Sequence, residues 1–486
     1  MILSNGLVVI LFIPCIVYSQ FDEKNQCFCK IGESVDYCPC SDESIDSFNT
    51  KFNPLLTSLL KRDFFRYFKV NMDKGCPFWP DDRECGSREC GVESCDDKVP
   101  SGLRSNLIRI RPNETRPLSH SSSSAGEPSS SPIQNVNGVE CIEKTGDGLS
   151  HADRSLSGEE EAQLMKIDAY DVQDELKFCE VDDEDSADAH YVDLSKNPEK
   201  YTGYKGESAV RVWQSIYNEN CFKPDMRFDK DFLINPNTFG LCYEKRVFYR
   251  LISGFHSAIT ISIASYNYKP PSVTGFGSEG SWFRNVEMFK GRFGTKWSWE
   301  GPSRLKNIYF VFLLELRALV KASPYLKEEM FYTGNEEEDI KTRKMVKDLI
   351  EIASSMPYPF NEDEMFTGVE SNARELREQF RGKFLNTSRI MDCVGCDKCR
   401  LWGKVQVQGM GTALKILFAD GVMKEHKDDK KDIPFQLSRN EVVALLQSIG
   451  RYSSSISEID IFRSEMGIQP VSALYPPPRS SSNEEL

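Results

Sequence analysis

The sequence predicts a mainly α protein: a single helical domain packed around a buried site, with a disulfide-stapled N-terminal segment and a long flexible insertion. Three observations predict it. Several long segments carry apolar residues at helical spacing, and no alternating strand pattern of comparable length and no fixed-spacing repeat occurs. Eight cysteines crowd between Cys27 and Cys95. A Ser-rich and then acidic stretch separates that region from the helical part.

Composition narrows the classes of function. An apolar fraction of 40% over 486 residues supports a packed core and excludes wholesale disorder. The 60 basic residues against 74 acidic ones leave a net charge of −14, which argues against a broad nucleic-acid surface. No internal stretch approaches 18 uninterrupted apolar residues, so no transmembrane span is expected.

In chain order, residues 1–19 read as a signal peptide, with an apolar run from Gly6 to Val17 and small residues Val17 and Ser19 at the cleavage positions. Its removal takes Cys15 and leaves 15 of the 16 cysteines, for which a secretory route makes disulfides the default. Residues 20–95 form the cysteine-rich segment, with an amphipathic helix expected over Asn53–Lys69. Residues 96–190 form the flexible insertion, marked by Ser121–Ser124, Ser129–Pro132 and Asp182–Asp185, with only Glu159–Tyr170 briefly helical. Residues 191–470 form the helical core. Helices are expected over Arg246–Ser262, over Leu305–Ala322 after Gly301-Pro-Ser303, over Asp339–Ser355 and over Ser371–Leu385. Ser438-Arg-Asn-Glu441 is a capping box ahead of a further apolar run. Residues 471–486 form a flexible tail ending in Asn-Glu-Glu-Leu, distantly similar to a luminal retrieval signal. Asn113 and Asn386 head glycosylation sequons.

The strongest chemical feature is Cys393-Val-Gly-Cys396-Asp-Lys-Cys399-Arg-Leu-Trp-Gly403. A Cys-x-x-Cys pair can open and close a disulfide reversibly, and here Lys398 and Arg400 favour a thiolate while Asp397 opposes it. A static disulfide is the plain alternative. A metal centre is not expected, because the four-ligand sets of zinc and iron–sulfur sites are missing and the five histidines are scattered. Upstream, Cys85-Gly-Ser-Arg-Glu-Cys90 has the spacing of an accessible disulfide, for which a loop staple is the alternative. Two close-spaced pairs in one chain permit exchange between an outer and an inner station. Gly275-Phe-Gly-Ser-Glu-Gly280 fits the dinucleotide fingerprint literally, but Lys269-Pro-Pro271 and polar residues surround it, so it reads as a loop.

These residues resemble the endoplasmic oxidoreductins, flavin-dependent thiol oxidases of the endoplasmic reticulum. The resemblance rests on Cys393–Gly403, on Gly411-Thr-Ala-Leu-Lys-Ile-Leu-Phe418, on Asn197–Gly206, on Glu219-Asn-Cys-Phe-Lys-Pro224 and on Phe248–Gly254. It implies a flavin-binding helical-bundle core. It implies further that Cys396 and Cys399 form the active disulfide beside FAD, Cys399 nearer the flavin, and that Cys85 and Cys90 form a shuttle pair taking electrons from a protein disulfide isomerase. Oxygen is then the acceptor and hydrogen peroxide the product. Cys76–Cys393, Cys221–Cys242, Cys27–Cys40 and Cys29–Cys38 are implied as structural bridges. Regulatory pairs are implied for Cys85–Cys141 and Cys90–Cys95, with Cys179 the odd thiol. The flavin contacts implied are Lys200, Thr202, Trp213, Ser253, His256, Arg292 and Arg304, Lys200 standing where many members carry Arg. The location implied is the lumen of the endoplasmic reticulum, with peripheral attachment to the luminal face of the membrane left open. A secreted, cysteine-rich structural or binding glycoprotein with inert disulfides is the competing reading; an oxidase purifies yellow and that protein does not.

Overall fold

The computed structural model describes residues 42–79, 90–104, 178, 184, 186, 188–200, 206–222, 241–269, 280–294, 301–329, 331–356, 362–367, 370–419, 435 and 437–467. It is mainly helical. The helices are α1 (Asp42–Leu60), α2 (Asp63–Arg66), α3 (Ser101–Arg104), α4 (Gly206–Gln214), α5 (Tyr243–Ser265), α6 (Val286–Phe293), α7 (Gly301–Lys321), α8 (Ser323–Glu328), α9 (Glu336–Ser354), α10 (Glu370–Ile390), α11 (Asp397–Leu417) and α12 (Arg439–Glu465). Two short antiparallel pairs complete it, β1 (Tyr67–Val70) with β2 (His190–Asp193) and β3 (Asn267–Lys269) with β4 (Ser281–Phe283).

The bundle is organised around α12, which packs on α11, α1, α7 and α5, while α5 and α7 pack on each other. Ser438 caps α12 as expected: its side chain accepts from the Glu441 amide and the Glu441 carboxylate accepts from the Ser438 amide. Close helix crossings fix two glycines. A Cβ at Gly254 on α5 would stand 2.5 Å from the Asn307 carbonyl oxygen of α7, and one at Gly409 on α11 would stand 2.5 Å from the Ala444 carbonyl oxygen of α12. α5 is buried almost throughout, so its apolar length belongs to the interior of a bundle. Among the described residues it is the one helix long and apolar enough to cross a membrane.

The helix expected over Asn53–Lys69 differs from the observed one. α1 starts eleven residues earlier and passes through Pro54, which lies exposed while Ile45, Phe52, Leu56 and Leu59 are buried on the opposite face. The Pro54 carbonyl is engaged from the next turn by the Ser58 hydroxyl at 2.9 Å. The helical path ends before Tyr67 because Tyr67–Val70 pairs in register with His190–Asp193, a β-branched and aromatic segment that prefers the pleat. Arg66 binds the Asp193 carboxylate and locks that pairing. Both ends of the 96–190 stretch are packed rather than open: Val99, Leu103 and Phe178 are buried, and Tyr191 on β2 reaches back to the Leu103 carbonyl at 2.6 Å. Glu159–Tyr170 lies outside the described residues, as do the signal segment and the tail. Gly280 is followed by strand β4 and not by a helix, so the fingerprint-like run does not open a dinucleotide-binding unit.

Candidate active site

The Cys-x-x-Cys motif lies at the head of a helix that periodicity did not single out. Cys396 and Cys399 form a disulfide, with Cα atoms 5.1 Å apart, and both are buried. Cys396 is the N-cap of α11, and its sulfur accepts from the Cys399 amide at 3.3 Å. Free amides at a helix start favour negative charge, which is the setting that lowers a thiol pKa. The next residue, Arg400, is buried, and one of its terminal nitrogens donates to the Asp397 carboxylate at 2.9 Å.

Just before this turn, Cys393 is bridged to Cys76, with Cα atoms 4.4 Å apart across 317 residues. A buried ion pair reinforces the junction: the Lys404 ammonium on α11 binds Asp392, beside the bridge, and the Asn71 carbonyl at 3.1 Å. These two connections hold the N-terminal segment against the disulfide helix.

A second cluster gathers from α4, α5, α6 and α7. Trp213 stacks on His256 with ring centroids 3.8 Å apart. The Tyr217 hydroxyl lies 3.1 Å from His256 Nδ1, and an Arg292 terminal nitrogen 3.3 Å from the same atom. Because a guanidinium only donates, Nδ1 is the acceptor and the ring proton resides on Nε2. Burial first, then the positive charges of Arg292 and Arg304, hold the imidazole well below its ordinary pKa, so it is neutral at physiological pH. Tyr217 reaches this position because the chain widens into a π turn over Ser215–Asn220, where the Asn220 side-chain amide also donates to the Ser215 carbonyl at 2.9 Å. On α5, Ser253 accepts from Asn307 at 2.9 Å, and Asn307 in turn accepts from Arg250 at 2.9 Å.

Trp213, Ser253, His256, Arg292 and Arg304 are thus all buried within one group of helices. Lys200 places its ammonium 5.0 Å from the Trp282 ring centre and 6.0 Å from that of Tyr266. Thr202 lies outside the described residues. Tyr217, Asn307 and Arg250 were missed by sequence reasoning; the spacing of four between Trp213 and Tyr217 was the available signal for one of them. Chemically, the cluster offers stacked aromatic planes, a neutral imidazole with one N–H, and two guanidiniums. That set fits a ligand with a flat heteroaromatic ring and an anionic group such as a pyrophosphate.

The remaining cysteines divide. Cys90 is buried and disulfide-bonded, whereas Cys95 carries a free thiol, so the Cys90–Cys95 pair is not the one formed here. The physical reason is that the Cys90 sulfur is already committed to another bond, which leaves Cys95 in a setting of its own. Its amide is tied to the Tyr191 carbonyl at 2.8 Å, and burial, with Asp193 and Asp96 adding, pushes its thiol up to about 11 and keeps it protonated. Cys242 also carries a free thiol, so the Cys221–Cys242 bridge is not closed: Cys221 is buried at the end of the π turn while Cys242 is exposed at the start of α5. Asn386 is not available as a glycan acceptor, being 4% exposed within α10 with its neighbours Thr387 and Ser388 also buried. Cys85, Cys27, Cys29, Cys38, Cys40, Cys141, Cys179 and Asn113 lie outside the described residues. Among the described residues no cluster of His, Cys, Asp or Glu could hold a metal ion.

Residues 51–459 match the family model described as Endoplasmic Reticulum Oxidoreductin 1 (ERO1). The chain is 57% identical over 466 residues to "Endoplasmic reticulum oxidoreductin-1" of Caenorhabditis elegans, covering 95% of this chain and 94% of that one. It is 40% identical over 458 residues to the human "ERO1-like protein alpha", covering 90% and 92%. Among solved structures it resembles a mutant of S. cerevisiae Ero1p, with a TM-score of 0.54, 27% identity and coverage of 88% of this chain and 98% of that one. A further Ero1p structure, entitled a "Source of Disulfide Bonds for Oxidative Protein Folding in the Cell", matches with a TM-score of 0.53, 26% identity and the same coverage.

Proposed function

Since the chain belongs to the Endoplasmic Reticulum Oxidoreductin 1 (ERO1) family, we propose that it is a thiol oxidase that makes disulfides for oxidative protein folding in the lumen of the endoplasmic reticulum. The observation that carries this reading is the buried Cys396–Cys399 disulfide capping α11, in the same bundle as the Trp213–His256–Arg292–Arg304 cluster. A disulfide that serves only as a staple gains nothing from the head of a helix, whereas a redox pair gains stabilisation of the thiolate formed on opening.

The reaction balances as two thiols and one oxygen molecule giving one disulfide and one hydrogen peroxide. A reduced protein disulfide isomerase supplies the thiols: its thiolate attacks Cys85–Cys90, the isomerase leaves oxidised, and the reduced pair opens Cys396–Cys399 through a mixed disulfide. The disulfide at Cys90 and the tie between Cys76 and Cys393 support a shuttle segment held close to the inner pair. FAD is the cofactor proposed, and when bound it supplies a two-electron acceptor that oxygen reoxidises. Trp213 and His256 would hold its aromatic rings, Arg292 and Arg304 its pyrophosphate, and Ser253 a polar edge. Lys200 and Thr202 are proposed as further contacts. The neutral state of His256 suits this role, since a cationic imidazole beside two guanidiniums would cost far more than it returns.

A visible absorption spectrum of the purified protein, with oxygen uptake driven by reduced isomerase, tests the proposal. Flavin bands and oxygen uptake that disappears in both Cys396→Ala and Cys85→Ala are expected. A colourless protein that consumes no oxygen overturns the oxidase reading. Flavin that responds to small thiols, with Cys85→Ala harmless, removes the shuttle.

A further inference from the structure

We propose that Arg400 is the group that holds the reduced Cys396 sulfur as a thiolate, and that Asp397 sets how strongly it does so. The inference rests on the reading of Cys396–Cys399 as a redox-active pair.

Three observations place the charge. Cys396 is the N-cap, its sulfur already accepts the Cys399 amide, and its carbonyl accepts the Arg400 amide at 2.8 Å, which makes Arg400 its i+4 neighbour on one helix face. Side chains on a helix lean back over the preceding turn, which directs the Arg400 side chain toward the turn that holds Cys396 and Asp397. Its terminal nitrogen reaches Asp397, and this confirms the direction. The second nitrogen of the fork, Nε, is buried and has no acceptor. A buried guanidinium N–H without an acceptor is costly, and a thiolate generated one turn back supplies the missing acceptor and the missing charge together. Asp397 competes from a position where its side chain is 39% exposed, so water screens it, whereas Cys396 is 1% exposed and unscreened. Lys398 stands two residues from Cys396, a spacing at which side chains on a helix do not face each other.

The chemistry balances without any further reactant beyond a dithiol. Two electrons from the dithiol break the Sγ–Sγ bond of Cys396–Cys399, and the dithiol closes to its own disulfide. Of the two protons released, one goes to Cys399 and the other to solvent, leaving Cys396 as the thiolate facing Arg400. The charged form stabilises the reduced pair above the thiol pKa and has no effect below it.

The test is the equilibrium of the Cys396–Cys399 pair with dithiothreitol in the full-length protein. It is measured without oxygen from pH 6 to 9, trapped by acid, alkylated in denaturant and read by peptide mass spectrometry. At pH 8, Arg400→Met is expected to make the pair about tenfold harder to reduce, the effect of a thiol pKa raised by one unit. The gap should close toward pH 6, and Arg400→Lys should restore most of it. Asp397→Asn releases the guanidinium and is expected to shift the equilibrium the other way, so the proposal remains testable if Arg400→Met does not fold. A tenfold loss that is the same at every pH, or no change in either variant, overturns it. Oxygen uptake retained in Cys396→Ala would sink the oxidase reading instead, while the equilibrium would still report on Arg400.

Discussion

Trp213 and His256 lie face to face, their ring centroids 3.8 Å apart and their planes 18° from parallel. The two come from helices separated by the Cys221–Cys242 segment, and the stack ties α4 to α5. Tyr217 and Phe255 close around the same indole. On the proposed flavin reading, Trp213→Ala is expected to weaken FAD binding about tenfold, from loss of roughly 1.4 kcal/mol of aromatic contact. Flavin absorbance per protein after purification checks this, with far-UV circular dichroism retaining its helical form.

Glu315 lies fully buried on α7, and the Ser448 hydroxyl donates to one of its oxygens at 2.6 Å. Burial holds its pKa well above the ordinary carboxylate range, so the folded protein binds this proton more tightly than the unfolded chain. The sign follows: stability is full below the unfolded pKa and falls as pH rises toward the folded one, by at most about 1.4 kcal/mol per pH unit. Glu315→Gln removes the ionisable group and keeps an acceptor for Ser448. Its melting temperature should exceed that of the parent at pH 8 and converge with it near pH 4. A parallel pair of curves would refute the assignment.

Asp193 behaves in the opposite sense. Burial would raise its pKa, but hydrogen bonds from Arg66 and Ser195 outweigh that and lower it. Its contribution is present above the unfolded pKa and is lost as pH falls through the folded one. Asp193→Asn is expected to cost about 2 kcal/mol at pH 7, between the limits for exposed and buried pairs. In urea unfolding curves the difference from the parent should shrink in acid.

At Gly254 there is no room for a methyl group between α5 and α7. Gly254→Ala would press on the Asn307 carbonyl at 2.5 Å and on a Val311 methyl at the same distance. The expected cost is about 2 kcal/mol. Displacement of Asn307 should also disturb its bonds to Ser253 and Arg250, so flavin retention should fall with stability.

Much of this architecture is legible in periodicity. α5, α7, α9 and α12 follow runs of apolar residues with recognisable starts, and Ser438 with Glu441 marks its own cap. α11 was hidden because its first turn carries cysteines, and its later turns carry the glycines that allow close packing on α12. Tyr67–Val70 reads as helix locally and becomes strand only through a partner more than a hundred residues away. The cluster around His256 was legible through resemblance alone, since Arg292 and Arg304 look like ordinary solvated arginines until the fold buries them. The π turn that carries Tyr217 has no periodic signature.

The Cys76–Cys393 bond also bears on how the chain is made. Its two sulfurs are 317 residues apart, which at about 5–20 residues per second of synthesis separates their emergence by roughly 15–60 s. Through that interval Cys76 has only nearer cysteines to pair with, Cys85, Cys90 and Cys95 among them. Any bond it forms then must be undone before the native one closes, which makes the nascent protein itself a client of thiol–disulfide exchange.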